Sequence, residues 1–133
     1  MATINKVVRR FTDLNLIFNP HPYTKDIIVL KNIDAVKTSI QNLLLTKNYE
    51  RPFHPEIGSQ VSNLLFENAG PSTTSALQKS IKDTISKFEP RATVTNVNIV
   101  DNYDSNEVGI EISFTINNVS DPVTVTTTLN RVR

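Results

Sequence analysis

The sequence predicts an α+β fold: a single domain with about three helices packed on one face of a small, mostly antiparallel β-sheet. Two observations carry this. Apolar residues recur at three- and four-residue spacing between residues 31 and 91, and the spacing changes to two from residue 92 onward. Helices grouped ahead of strands, rather than alternating with them, argue against a wound parallel sheet. At 133 residues the chain is long enough to bury one real core.

Residues 1–30 form a less regular leading segment. "LNLIF" (14–18) and "DIIVL" (26–30) read as short strands, and the prolines of "NPHPYTK" between them force a turning or extended chain. His21, between those prolines, reads as a loop histidine.

The helical part spans residues 31–91. In "NIDAVKTSIQNLLLTKN", Ile33, Val36, Ile40, Leu43 and Leu44 make one apolar stripe. Asn32 is expected as N-cap, Asp34 and Lys47 as complements of the helix dipole, and Asn48 as the close. Prolines 52 and 55 make "YERPFHPEIGS" a fixed loop. "IGSQVSNLLFEN" then predicts a short helix with Val61, Leu64 and Leu65 on one side, ended by Gly70 and Pro71. A third helix starts near Ser72 or Thr73 and carries Leu77, Ile81, Ile85 and Phe88 up to "EPR".

The β part spans residues 92–133. "EVGIEISFTIN" places Val108, Ile110, Ile112, Phe114 and Ile116 on one face, and Glu107, Gly109, Glu111, Ser113 and Thr115 on the other. "VTNVNIVD" and "PVTVTTTLN" are its expected neighbours, with turns at "DNYDSN" (101–106) and "NNVSDP" (117–122).

Composition excludes several function classes. A formal net charge of +1 gives neither a polyanion-binding field nor an acidic tail, so no nucleic-acid partner is expected. The absence of cysteine removes disulfides and thiolate metal sites and fits a reducing compartment. No signal peptide is read in "MATINKVVRRFTDL", and "IIVL" and "LLL" are too short to span a membrane, so a soluble protein is expected. The three glycines, at 58, 70 and 109, are too far apart for a phosphate-cradling loop. His21 and His54 are isolated, so no metal site and no cofactor is expected.

Acid/base hydrolysis has four candidate carboxylates, Glu50, Glu56, Glu67 and Glu89. Such chemistry needs two of them about 5–9.5 Å apart around a sugar-sized cleft; surface and capping duty is the plainer reading.

Two features suggest binding instead. In "EPR", Pro90 stops the helix and favours an extended backbone at Glu89. If Arg91 is extended as well, Glu89 and Arg91 project to the same side. The pair reads either as an exposed salt bridge worth about 0–1 kcal/mol, or as a partly desolvated pair meeting polar groups of another protein. The C-terminal "TVTTTLNRVR" reads as an edge strand. It is either a polar edge blunted by Arg131 and Arg133, or a template for a partner's strand through Thr124, Thr126, Thr128 and Asn130.

"SIQNLLLTKNYERPFHPEIGSQVSNLLFEN" followed by "FEPRATVTNV" resembles the baseplate wedge and sheath-initiator family of contractile-tailed phages, which includes a baseplate component of type VI secretion systems. The resemblance runs from about residue 35 to 100, most specifically in "ERPFHPEIGS", "LLFEN" and "EPR". It implies a structural protein of the virion tail baseplate, assembled in the host cytoplasm and present in six copies. It also implies wedge-core contact through Glu89, Pro90 and Arg91, and a terminal β edge on which the tail sheath protein polymerises. Acid lysozyme activity, a label given to this family, is the alternative; a regulatory anti-adaptor that shares the fold is a third reading.

Overall fold

The alternation in residues 107–116 builds the middle of the sheet. In the structure, a computed structural model describing residues 10–67, 70–102, 107–117 and 119–130, this segment is β4 (Glu107–Ile116). It lies between β3 (Ala92–Asn102) and β5 (Val119–Asn130) in a three-stranded antiparallel sheet of order β3-β4-β5. Val108, Ile110, Ile112, Phe114 and Ile116 are all buried, so the one-sided strand expected from the sequence is present. Val123, Val125 and Leu129 of β5 join the same core.

β3 changes faces part-way along. Ala92 and Val94 point inward, then Val97 and Ile99 do, because the ladder slips between Val94 and Asn96. Thr95 is the extra residue, and its hydroxyl donates to the Ser113 carbonyl at 2.8 Å. The connection from β4 to β5 is shorter than the expected 117–122 turn. β5 already pairs at Val119, and residues 120–122 form an irregularity opposite the end of β4.

Three helices cover the buried face: α1 (Ile33–Leu45), α2 (Val61–Leu65) and α3 (Pro71–Phe88). Val36, Ile40 and Leu44 of α1 meet Val61 and Leu65 of α2 and Leu77, Ile81 and Ile85 of α3 in one cluster. The expected end of the second helix at Gly70 is corrected. Gly70 is the N-cap of α3 and Pro71 its first residue, a position where the missing N–H costs nothing.

α1 also ends differently from the expectation. Thr46 is its C-cap, so Lys47 and Asn48 lie beyond the helix. Buried Ser59 takes over that end, its hydroxyl donating to the Leu44 carbonyl at 2.7 Å and its N–H to Thr46 at 2.9 Å. Gly58 lets the loop come this close: a Cβ there would sit 2.7 Å from the Lys47 carbonyl carbon.

The leading segment forms a separate two-stranded antiparallel sheet, β1 (Thr12–Leu14) with β2 (Val29–Lys31). The expected strand at 14–18 stops at Leu14, because Asn15 turns the chain. Its side chain accepts the Ile17 N–H at 3.0 Å and its carbonyl the Phe18 N–H at 3.1 Å. His21 is a turn residue, its Nδ1 accepting the N–H groups of Tyr23 and Thr24.

Candidate functional site

α3 delivers its last residues into a closed turn. The Glu89 N–H makes a final helical bond to Ile85, and the Glu89 carbonyl accepts the Ala92 N–H at 3.2 Å. That is a β-turn with Pro90 at its second position, where the fixed φ of proline fits. Asn117 closes it from β4's far end: its side-chain amide donates to the Pro90 carbonyl at 3.0 Å, and its N–H to Arg91 at 3.1 Å. All three carbonyls of the elbow are thereby bonded to the folded chain.

Glu89 and Arg91 do project together, but through this turn and not through extended backbone. Arg91 precedes β3 and lies in the turn itself. Its Nε and Nη2 donate to the two carboxylate oxygens of Glu89, at 2.5 and 2.7 Å. The Ser39 hydroxyl of α1 donates to Oε2 as well, at 2.5 Å. Glu89 is only 3% exposed, which removes the exposed-salt-bridge reading.

The electrostatics follow from this burial. Desolvation pushes the Glu89 carboxyl up, but the bonds from Arg91 and Ser39, with the charge of Arg91, outweigh it and hold the group below the usual carboxylate range. The bond to Glu89 raises Arg91 further above its ordinary value against a smaller opposing effect of burial, and nearby Asp13 adds to it. The Phe11 ring lies with its centroid 5.5 Å from the guanidinium carbon. Glu89 therefore faces inward, while the Arg91 side chain stays 26% exposed. Its Nη1 has no partner among the described residues.

Sequence reasoning missed four contributors here: Ser39, Phe11, Asp13 and Asn117. Ser39 carried a readable signal. It falls on the apolar stripe of α1, three residues after Val36 and four before Leu43, where a hydroxyl needs a buried partner. The other three come from segments distant in sequence, and nothing local marks them.

The hydrolytic candidates have separate duties. Glu50 accepts the Lys47 N–H at 2.9 Å, and Glu56 pairs with His54 at 3.2 Å on the surface. Glu67 lies beside Phe66 and Pro71 in a shallow depression. No group of His, Asp or Glu suited to a metal ion occurs among the described residues, and no helix among them is long and apolar enough to cross a membrane.

On the sheet, β5 pairs with β4 alone among the described residues, so it lies at an edge. Thr124, Thr126 and Thr128 are exposed on the face away from the helices. The Asn130 backbone pairs with Glu107, while its side chain, like Arg131 and Arg133, lies outside the described residues.

This elbow, carried between a helical half and a three-stranded sheet, lies inside the region matched by a family model. The model, described as baseplate wedge protein gp25, covers residues 31–120. The chain belongs to the gp25 family of baseplate wedge proteins. It is 30% identical over 116 residues to baseplate wedge protein gp25 of Enterobacteria phage T4, covering 87% of this chain and 85% of that protein. Solved structures repeat the fold at lower identity. A candidate tail lysozyme from Geobacter sulfurreducens superposes with a TM-score of 0.68 at 17% identity, covering 74% of this chain and 89% of that one. A chain of the post-contraction baseplate of pyocin R2 gives 0.64 at 20%, covering 80% and 99%. One from the 6-fold symmetrised baseplate of the anti-feeding prophage gives 0.65 at 18%, covering 93% and 88%. At these identities the gp25 relative carries the family assignment and the three structures carry the fold.

Proposed function

We propose that this gp25-family protein is a non-enzymatic structural subunit of a contractile tail, docking onto wedge-core proteins through Pro90 and Arg91 and seeding the tail sheath along β5. Six copies per baseplate agree with the symmetry of the anti-feeding prophage particle. The virion tail baseplate is its site of action and the host cytoplasm its site of assembly. The observation that carries this reading is the fixed direction of Arg91. A buried carboxylate grips one edge of the guanidinium and the other edge is left for a partner. Glu89 acts from behind, as the group that aims Arg91. Of the glutamates offered for hydrolysis, Glu50 accepts a loop N–H, Glu56 pairs with His54 on the surface and Glu89 makes this grip.

Removing Arg91 alone is a poor test, because it strands a buried carboxylate. Replacing Glu89→Leu and Arg91→Met together removes the pair in favour of apolar side chains of comparable size. The double variant is expected to melt cooperatively and to lose co-purification with the co-expressed wedge proteins. Retention at the wild-type level refutes the docking role. The sheath edge is tested by Thr126→Lys with Thr128→Lys, which spares the buried Val125 and Leu129. Baseplates are expected to form without extended sheath; normal sheath removes that half of the reading.

A further inference from the structure

A groove runs along α3 from Ala76 to Phe88, a little over three turns of helix or about 18 Å. Its volume is about 430 Å³. Gly58, Gln60 and Leu64, from the loop after α1 and from α2, form the opposite wall. Neither Glu89 nor Arg91 lines it, so the groove is separate from the elbow.

Two polar atoms beside this groove lack the partners that burial demands. Asn48 Oδ1 is buried and accepts no hydrogen bond among the described residues. Thr84 is 9% exposed, and its hydroxyl makes no bond among them either. Buried polar groups of a folded chain are nearly always paired, so an acceptor and a hydroxyl left open along one groove point to a ligand that supplies both bonds. The rim carries charges in a fixed order. Lys79, Asp83 and Lys87 are exposed at four-residue spacing, about 6 Å per step along the helix axis. None of the three makes an ion pair among the described residues, although neighbours of opposite sign at this spacing can pair. Glu56, which also lines the groove, is paired with His54 at 3.2 Å.

We infer that this groove receives an extended segment of another protein with alternating charges, acidic–x–basic–x–acidic, whose same-side side chains meet Lys79, Asp83 and Lys87. Extended backbone places those side chains about 6.6 Å apart, close to the helix step of about 6 Å, so three opposite charges fall into register. A groove of about 18 Å holds about five such residues. A backbone N–H of the segment donates to Asn48 Oδ1, and a backbone carbonyl accepts from the Thr84 hydroxyl. A helix does not offer these bonds, because its backbone groups are already paired internally. No stretch of this sequence places two acidic residues four apart with a basic one midway, so a second copy of the chain does not supply the segment. This contact adds a charge-selective site to the docking and sheath-seeding roles proposed above and depends on neither.

The test uses the full chain and a capped heptapeptide with glutamate at its second and sixth positions, lysine at its fourth and threonine elsewhere. At low salt this peptide is expected to bind about tenfold more tightly than its charge-inverted twin. In NMR titration it should shift the backbone amide signals of residues 79–87. Exchanging the rim, with Lys79→Glu, Asp83→Lys and Lys87→Glu together, should reverse the preference and leave the fold intact, because all three side chains are exposed and free of ion pairs. Thr84→Val exchanges a buried hydroxyl without a partner for a methyl. It is expected to hold or raise the melting temperature of the free chain and to weaken the peptide about fivefold. Equal binding of the two peptides, an unchanged preference after the exchange, or shifts confined to α1 or the sheet overturn the inference. Full binding by Thr84→Val overturns it too. So does a wild-type chain that binds neither peptide, an outcome that leaves the elbow reading standing.

Discussion

Asn32 grips Phe11 from two sides: its N–H donates to the Phe11 carbonyl at 2.7 Å, and its side-chain oxygen accepts the Phe11 N–H at 3.3 Å. The expected N-cap of α1 is thus spent on the leading segment, and no side chain caps that helix. Through this grip the start of α1 sets the position of the ring beside Arg91. Asn32 holds a φ of 50°, which asparagine tolerates better than most residues.

Asn32→Ala removes the side-chain bond and places a Cβ-bearing residue without a compensating contact at that φ. A loss of about 1–2 kcal/mol is expected in urea unfolding. Asn32→Gly, which is at ease at positive φ, should lose less. An alanine variant as stable as wild type would show that the grip contributes nothing.

Breaking the buried pair from one side is expected to cost more. Glu89→Ala leaves the half-buried Arg91 and the Ser39 hydroxyl without their acceptor, at about 3–5 kcal/mol. Arg91→Lys should not restore the wild-type stability, because an ammonium cannot make the two parallel bonds. Thermal melts of the three proteins, compared at one pH, give the order wild type, Arg91→Lys, Glu89→Ala.

Acid should expose the same pair. The Glu89 carboxyl is depressed in the folded state, so its contribution is fully present above the ordinary unfolded value of about 4.3. It is lost as pH falls through the lower folded value. Wild-type stability should therefore decline below about pH 4–5, and the Glu89→Gln variant should show a shallower decline over that range. Parallel slopes would mean that other carboxylates dominate acid unfolding.

Gly58→Ala is expected to destabilise by about 1–3 kcal/mol, because its new methyl meets the backbone of Lys47 and Asn48, which cannot rotate away. Gly70→Ala, with nothing near the added atom, is the comparison and should lose less, only alanine's poorer N-cap character at roughly 0.5–1 kcal/mol.

The fold was legible wherever one periodicity acted alone. The alternation of β4 survives intact because that strand has a neighbour on each side and a core beneath it. The stripe of α1 is equally direct. Legibility failed where a single side chain redirects the backbone. Asn15 cuts β1 short, Thr95 flips the parity of β3, and Pro71 opens a helix in a stretch that resembles a stop. At the elbow, the pairing of Glu89 with Arg91 could be read from two residues and a proline. That Glu89 turns inward could not, since Ser39 lies fifty positions away.

The two borders of the sheet are unequal, and that difference sets a direction. β3 carries the Thr95 bulge and gives its Val97 carbonyl to the Gln78 side chain at 3.1 Å, whereas β5 runs in regular register from Val123 to Asn130. A strand added to this sheet therefore meets eight residues of unbroken ladder along β5 and an interrupted one along β3.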